Sequence, residues 1–411
     1  DARCAVRGVK AGALPSGPDR NDKVKRDIEG SFELHFKYAT RKKLERTPRM
    51  NYSTLDVSLQ ALFQAILPVS RAQSQRVSRF CAALLLAGRV PLSSIARWLA
   101  SDSQQASRIR WLERLLVAPF VRAELVYQPA LRQALATYRA PLWHLAIDRT
   151  TLADGQTDLV SVVITWRKRA IPLVWDFVDF GGAPKARYIA LVRQAAALLP
   201  PDVRVVLHGD TEFGSVDMIR ALYDLEWDFI LGQPANVHVQ LPGEDRSRPF
   251  ASLPVRRRET LLLHGVQLNA KARLGGLNVL AFYQPKHHGD TRRKRTYCYL
   301  VTSLPLTPSV RRLGRRRWAV EPFHRDLKSA GFQLPVSQVR HPARRAGLFV
   351  LVALTYLLSV CFGGWVCKTG RRRTLDAKPR RHYSLFRLGL DWLIHQFRSA
   401  QPIPPQLRLY S

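Results

Sequence analysis

Apolar positions recur at helical spacing through the first strongly patterned part of the chain. From Ser53 onward they return every three or four residues, at Leu55, Leu59, Leu62, Phe63 and Ile66. This spacing is typical of an amphipathic α-helix, and another apolar run follows over residues 80–86. We therefore predict an all-α domain over residues 50–139.

Within this helical region, residues 91–116 read as helix, polar turn, helix. A helix over residues 91–100 is followed by the polar stretch 101–104 and by a second helix over residues 105–116. In the second helix Ile109, Leu112 and Leu116 can face inward, which leaves Arg110 and Arg114 on the opposite side. Such a unit can place its second helix on DNA, but a purely structural helical hairpin explains the same residues.

After Pro141 the period of the pattern changes from helix to strand. Apolar runs over residues 142–147, 159–166 and 171–177 predict three strands. A helix over 185–199, a strand over 203–207, a short helix over 215–223 and a strand over 229–231 follow. This order of elements is that of the ribonuclease H-like fold, so we predict an α/β protein of that class.

The remaining pattern predicts an insertion, a second part of the core and a tail. Short β-runs over residues 261–263, 266–270, 277–282 and 297–302 fill the segment after residue 231, and an uncharged apolar run extends from Ala346 to Val366. The apolar run is long enough to span a membrane, but it contains polar residues and a buried helix of a large domain has the same composition. We predict the buried helix and no membrane. The predicted units are a leader (1–49), a helical DNA-binding domain (50–139), the first core part (140–231), a β-rich insertion (232–306), the second core part (307–366) and a basic tail (367–411).

Charge and cysteine content narrow the partners and the compartment. Lys and Arg number 65 against 31 Asp and Glu, for a formal net charge of +34. Such an excess predicts a polyanionic partner, first of all nucleic acid and second an anionic membrane surface. The five cysteines show no metal-site spacing and favour a reducing, intracellular setting. Residues 1–49 lack the apolar core run of a secretory leader. Because the chain begins at Asp1 and its only methionines are Met50 and Met218, we expect Met50 to be the natural start and residues 1–49 to be upstream sequence or a disordered basic leader.

Three acidic residues are candidates for chemistry. Asp148 and Asp210 are predicted at or just past the carboxyl ends of two strands, where sites collect in open α/β sheets. Taken singly, an aspartate there is more often a turn or capping residue. The third candidate, Glu321, belongs to the stretch of residues 315–328, RRRWAVEPFHRDLK. Three carboxylates together would be hard oxygen ligands suited to Mg²⁺ or Mn²⁺.

The stretch 315–328 surrounds Glu321 with cationic groups. Read as one α-helix, it brings Arg317, Glu321 and Lys328 within about 40° of each other on the helix wheel, with His324 beside them. A solvated face with ordinary ion pairs accounts for the same residues. A metal site that also holds phosphates is the functional alternative.

These residues resemble the DDE transposases of bacterial insertion sequences, in the group marked by a Tyr-Arg-Glu-Lys signature. The resemblance rests on AIDRTTL around Asp148, HGDTEFGS around Asp210, and the spacing of Arg317, Glu321 and Lys328, and it covers roughly residues 142–345. The tyrosine of the signature would fall at Gly314, which departs from the family pattern.

The resemblance implies a cut-and-paste DNA transposase, active as a homodimer on double-stranded DNA in the bacterial cytoplasm and nucleoid. Asp148, Asp210 and Glu321 would hold two divalent metal ions, Mg²⁺ or Mn²⁺. Arg317 and Lys328, with His324, Arg110 and Arg114, are the predicted DNA contacts. The alternatives are a catalytically silent DNA-binding protein derived from a transposase, a stand-alone nuclease of the same fold, and a basic membrane protein.

Overall fold

A mixed sheet of ten strands forms the centre of the protein in a computed structural model. The structure describes residues 52–152, 155–256, 259–268, 274–284, 296–307, 309–329, 331–399 and 401–410. The predicted leader, residues 1–49, lies outside the described residues, and residues 52–411 form one compact unit.

The α-helices are α1 (Tyr52–Ile66), α2 (Arg71–Ala87), α3 (Leu92–Ala96), α4 (Gln105–Leu116), α5 (Gln128–Leu135), α6 (Lys185–Ala196), α7 (Val216–Asp224), α8 (Val310–Gly314), α9 (Val320–Leu327), α10 (Pro342–Lys368) and α11 (Leu385–Arg398). A π-helical turn, Ala123–Tyr127, precedes α5, and a 3₁₀ turn, Arg315–Ala319, joins α8 to α9.

The strands are β1 (Trp143–Thr151), β2 (Thr157–Trp166), β3 (Arg169–Asp179), β4 (Val205–Gly209), β5 (Asp228–Gln233), β6 (His238–Gln240), β7 (Arg248–Pro249), β8 (Thr260–Leu268), β9 (Leu274–Gln284) and β10 (Thr296–Thr302). They lie in the order β3-β2-β1-β4-β5-β10-β9-β8-β6-β7.

The first five strands follow the predicted sequence of elements and make the first half of the sheet. β1, β2 and β3 are antiparallel neighbours, whereas β4 and β5 run parallel to β1 on its other side. The hairpin between β2 and β3 turns at Arg167 and Lys168, which both have positive φ, as a tight two-residue hairpin turn requires. β10 then pairs with β5, so the strands of the predicted insertion continue this sheet.

The long apolar helix α10 is the centre of the helical part of the protein. Within its most apolar 18-residue window, 94% of the residues are buried inside the protein. Phe349 packs edge-on against Trp175 of β3, and Tyr356 packs against Phe323 of α9. α2, α4, the π-helical turn and α11 also pack on α10, so the helices before residue 139 share one hydrophobic core with the sheet.

By length and composition alone, α10 could cross a membrane. Its mean hydropathy over the same window is 2.2. The core helix of a large domain meets the same criteria, and the burial of α10 agrees with the prediction of a buried helix.

Three local predictions were wrong. Residues 261–263 and 266–270 were expected as separate strands, but β8 is one strand with an irregular register between Leu263 and Val266. Residues 315–328 do not form one α-helix, since the first five residues make a 3₁₀ turn and α9 ends at Leu327. Asp148 does not end its strand, because the hairpin with β2 extends β1 to Thr151.

Candidate active site

Two aspartates lie where β1 separates from its parallel neighbour β4. The parallel pairing ends with Ala146 opposite His208. Asp148 lies two residues beyond that pair within β1, and Asp210 lies two residues beyond it in the loop that directly follows β4. Since neighbouring strands are about 4.8 Å apart, the register of the sheet makes the two carboxylates neighbours.

Asp148 is a buried carboxylate with a counter-ion. It accepts a hydrogen bond from the backbone N–H of Arg149 at 3.0 Å, and Nη1 of Arg317 lies 3.4 Å from its Oδ2. Burial raises the pKa of Asp148 to about 6; the Arg317 guanidinium opposes this rise, and the charges of Asp210 and Glu321 add to it. Asp148 is therefore within electrostatic reach of both other predicted acids.

Asp210 is held by its own loop, directly after β4. Its Oδ1 accepts a hydrogen bond from the backbone N–H of Glu212 at 3.0 Å, and its carbonyl accepts one from Phe213 at 3.2 Å. The loop packs directly onto β5 at Gly232, where a Cβ atom would lie 2.7 Å from the backbone nitrogen of Thr211. Only glycine leaves room for this approach, so β5 and the loop together fix the position of Asp210.

Glu321, the third predicted acid, lies in the first turn of α9 and is exposed. Among the residues that the structure describes, no three acidic, histidine or cysteine side chains converge into a group that could hold a metal ion. The structure therefore places Asp148 and Asp210 side by side, with Glu321 in electrostatic range but not gathered onto them.

The three predicted basic residues of this segment have different environments. Arg317, on the 3₁₀ turn, is the counter-ion of Asp148. Burial lowers the pKa of Lys328, just past the end of α9, and the buried carboxylate of Asp158 opposes this. Burial, with the charges of Lys328 and Arg317, lowers the pKa of His324 to about 3. His324 is thus a neutral imidazole, and its Nε2 finds no hydrogen-bond partner in the described part of the chain.

An ion-pair network that the sequence reasoning missed links the two aspartate loops. The Nε of Arg149 donates to Glu212 at 2.9 Å, and the Nη1 of Arg149 pairs with the fully buried Asp158. Tyr188 of α6 donates to the other oxygen of Glu212 at 2.6 Å. Arg149 follows Asp148 directly and Glu212 follows Asp210 by two positions, so their ion pair ties both aspartates together. The opposite charges beside the two aspartates were the available sequence signal.

A second missed feature is a pair of histidines beneath the aspartates. Nδ1 of His144 on β1 lies 3.0 Å from Nε2 of His208 on β4, and both rings are buried. Burial lowers the pKa of His144 to about 4, helped by the charge of Arg316, and lowers the pKa of His208 well below its usual value. Both rings are therefore neutral, and their contact joins the two strands that carry Asp148 and Asp210.

The predicted DNA contacts on α4 are exposed side chains. Arg110 and Arg114 face solvent one turn apart, while Leu112 and Leu116 are buried as predicted. Glu113 of α4 pairs with Arg344 at 3.1 Å, in the first turn of α10. That turn also donates to Thr157 at the start of β2, so α4 is attached to the end of the sheet that holds Asp148.

Comparison with protein families gives a match over part of the chain. Residues 183–358 match the family model described as the transposase DDE domain. The matched region contains Asp210, Arg317, Glu321 and Lys328, whereas Asp148 lies before it.

No curated protein matches the chain. Among solved structures, a piggyBac transposase synaptic complex with hairpin DNA is similar at a TM-score of 0.40 and 12% identity, over 84% of this chain and 78% of that chain.

Proposed function

We propose that the protein is a DNA transposase that cuts phosphodiester bonds at transposon ends and joins the freed ends to target DNA. The observation that carries the proposal is the placement of Asp148 and Asp210 as neighbours at the divergence of two parallel strands. The family match supports it, because the matched region includes Asp210 and Glu321.

The strand order of the first half of the sheet supports a ribonuclease H-like assignment. Three antiparallel strands followed by two strands parallel to the first, in the order β3-β2-β1-β4-β5, is the arrangement that the predicted element order requires. In this fold the first and fourth strands present the two aspartates to the same edge of the sheet. The active-site segment after β10 then supplies Glu321.

The donor chemistry at this edge fits divalent metal ions. Asp148 and Asp210 are hard oxygen donors, and the raised pKa of Asp148 reflects burial and the charges of the other two acids. We assign Asp148, Asp210 and Glu321 as the ligands of two Mg²⁺ or Mn²⁺ ions. When bound, such ions activate the attacking hydroxyl group and stabilise the leaving oxygen.

The protein's own cationic side chains would orient the phosphate and offset its charge. Arg317 already contacts Asp148 and has a planar guanidinium that can donate two hydrogen bonds to a phosphate. Lys328 lies half-buried at the end of the same segment. His324, being neutral, can contribute a hydrogen bond but no charge. These three residues would hold the scissile phosphate against the carboxylates.

DNA would be bound through the basic surface as a whole. The net charge of +34 supplies phosphate contacts that release counterions. Arg110 and Arg114 of α4 are exposed at the end of the sheet where Asp148 lies, so they can contact the same duplex. Binding to transposon ends and target DNA as a homodimer, in the cytoplasm of a bacterium, belongs to the same proposal.

Three observations favour a second candidate, a catalytically silent DNA-binding protein. Arg317 already contacts Asp148, and the three acids are not gathered in the described residues. Gly314 stands in place of the signature tyrosine, so the position before the 3₁₀ turn Arg315–Ala319 has no side chain. A stand-alone nuclease would retain cleavage and lack strand transfer.

Cleavage of the DNA that flanks the coding region tests the proposal. With Mg²⁺, the wild type should cut a fragment carrying both flanks, whereas Asp148→Asn, Asp210→Asn and Glu321→Gln should bind the fragment without cutting it. Asp224→Asn, a change at an exposed carboxylate of α7, is the matched control and should cut normally. Binding without cutting by the wild type would favour the silent protein. Cutting without joining of a pre-cut end would favour the nuclease.

A further inference from the structure

The loop between α10 and α11 is strongly basic and has a defined fold. We call residues 369–384 the distal loop. Its only acidic residue is Asp376, which is 3% exposed. The Asp376 carboxylate accepts hydrogen bonds from the backbone N–H groups of His382 and Tyr383 at 2.7 and 3.2 Å. One buried acid therefore organises the loop from inside.

One arginine of the loop also serves its fold. Arg372 lies 3.5 Å from the Asp376 carboxylate. It donates to the carbonyl groups of Asp376, Lys378 and Pro379 at 2.8–3.2 Å. The single negative charge of the loop is thus balanced internally, and it does not offset the other cations.

The other five cations of the distal loop face solvent. They are Arg371, Arg373, Lys378, Arg380 and Arg381. None of them forms an ion pair with a residue that the structure describes. Like charges held close together on a fixed loop repel one another, and a polyanion would relieve that repulsion.

The β2–β3 turn adds two more exposed cations at the same end of the protein. This turn consists of Arg167 and Lys168. The neighbouring Trp166 packs against α10 at Gly364, where a Cβ atom would lie 3.3 Å from its ring. At the next position of α10, Trp365 is covered by the guanidinium of Arg371 at 4.6 Å. We call the turn and the five loop cations the distal basic face.

The distal basic face lies at the opposite end of the sheet from the aspartates. Along β2, the distance from Ser161, the partner of Asp148, to the turn after Trp166 is roughly 20 Å. Along α10, the helix runs from Arg345, bonded to Thr157, to its carboxyl end, which is over 30 Å. At about 3.4 Å per base pair, such a span equals about 6–9 base pairs of duplex.

We propose that the distal basic face binds the backbone phosphates of duplex DNA, at least about 6–9 base pairs from the phosphate held near Asp148. The inference deepens the proposed function, since it assigns a second contact on the same DNA substrate. Duplex DNA suits the face because the cations sit on a fixed loop and a rigid turn. A membrane surface fits less well, because membrane-bound segments also bury apolar side chains, and the exposed large hydrophobic residue of this loop is a single tyrosine, Tyr383.

The salt dependence of DNA binding tests this inference. We compare wild type with Arg373→Gln/Arg380→Gln, at two exposed arginines of the face, on a duplex of about 40 base pairs, long enough to span both sites. If both arginines contact phosphate, the slope of log K against log salt should become shallower by about 1.8, with roughly tenfold or greater loss of affinity near 0.1 M salt. The matched control is Arg220→Gln/Arg246→Gln, which removes the same charge at exposed positions elsewhere.

An unchanged slope, or an equal change in the control variant, would overturn the inference. So would retained DNA binding combined with lost binding to vesicles of phosphatidylserine and phosphatidylcholine, which would mean a membrane contact. An unchanged midpoint of thermal unfolding would show that the variant is folded. Failure of the proposed function is seen separately, as absence of cleavage by the wild-type protein, and leaves the salt slope interpretable.

Discussion

The two parts of the candidate site are built differently. Asp148 and Asp210 are fixed by strand register, by backbone hydrogen bonds and by the ion pair of Arg149 with Glu212. Glu321 is an exposed side chain in the first turn of a helix that follows a 3₁₀ turn. We propose that the aspartate half of the site is preformed and that Glu321 completes it only when ligands bind.

The largest expected effect is on the free energy of unfolding, which the buried charge of Asp148 lowers. Because Asp148 has a pKa of about 6 in the folded protein, against 3.8 ordinarily, the folded state binds its proton more tightly than the unfolded chain does. Its destabilising contribution therefore grows as pH rises from about 4 to about 6, and reaches about 3 kcal/mol above that range. In metal-free buffer at pH 7.5, Asp148→Asn should raise the free energy of unfolding by up to this amount.

Denaturant unfolding of both proteins in EDTA at several pH values measures this effect. The gain from Asp148→Asn should vanish below about pH 4, where both states of the wild type are protonated. Glu321→Gln is the comparison variant, and as an exposed group it should change stability little. A gain that is independent of pH would contradict the assigned burial of the Asp148 charge.

A smaller effect is expected from removing the ion pairs of Arg149, which connect the loops of Asp148 and Asp210. Arg149→Gln removes the ion pairs with Glu212 and Asp158 and leaves both aspartates in the chain. Groups that position metal ligands typically contribute 10- to 100-fold to activity or metal affinity. We expect a loss of about that size in cleavage rate, with the Mg²⁺ requirement shifted to higher concentration.

Arg187→Gln is the matched control. Arg187 pairs with Asp176 on the neighbouring strand β3 and makes no ion pair with Asp148 or Asp210. The variant should leave the Mg²⁺ titration unchanged. If the Arg149→Gln variant loses cleavage rate at every Mg²⁺ concentration without a shifted midpoint, Arg149 does not position the metal ligands.

The smallest expected effect is a change in stability at Gly314, which precedes the segment that carries Glu321. Gly314 has helical backbone angles at the end of α8, and a Cβ atom there would make ordinary contact with Leu300 at 3.4 Å and Ile230 at 3.7 Å. Gly314→Ala should therefore stabilise the protein by about 0.5–1 kcal/mol, since alanine favours the helix. Chemical denaturation measures the change, and destabilisation would mean that the position has no room for a side chain.

Much of the aspartate half could be predicted from the sequence. The apolar runs of β1 and β4 each lead to an aspartate, and the element order identifies the two strands as neighbours. The extension of β1 to Thr151 was missed because the residues after Asp148 are polar, and only pairing with β2 keeps them in a strand. The partnership of Arg149 with Glu212 needs a contact between residues far apart in sequence, which periodicity does not reveal.

The segment around Glu321 was predicted less well. Its sequence favours a continuous α-helix, and on a helical wheel Arg317 then lies beside Glu321. In the structure the first turn tightens to 3₁₀ geometry and Arg317 contacts Asp148 instead. Tertiary contacts with the sheet override local helix preference here. The buried helix α10, in contrast, was predictable from composition, since the run from Ala346 to Val366 is apolar and carries no charge.

Manganese binding, followed by electron paramagnetic resonance, tests the central claim that the preformed aspartates are the principal metal ligands. Mn²⁺ should bind the wild-type protein without DNA, and Asp148→Asn or Asp210→Asn should abolish that binding. Glu321→Gln should only weaken it, because Glu321 is not gathered with the aspartates before ligands bind. Unchanged Mn²⁺ binding by the Asp210→Asn variant would contradict the account.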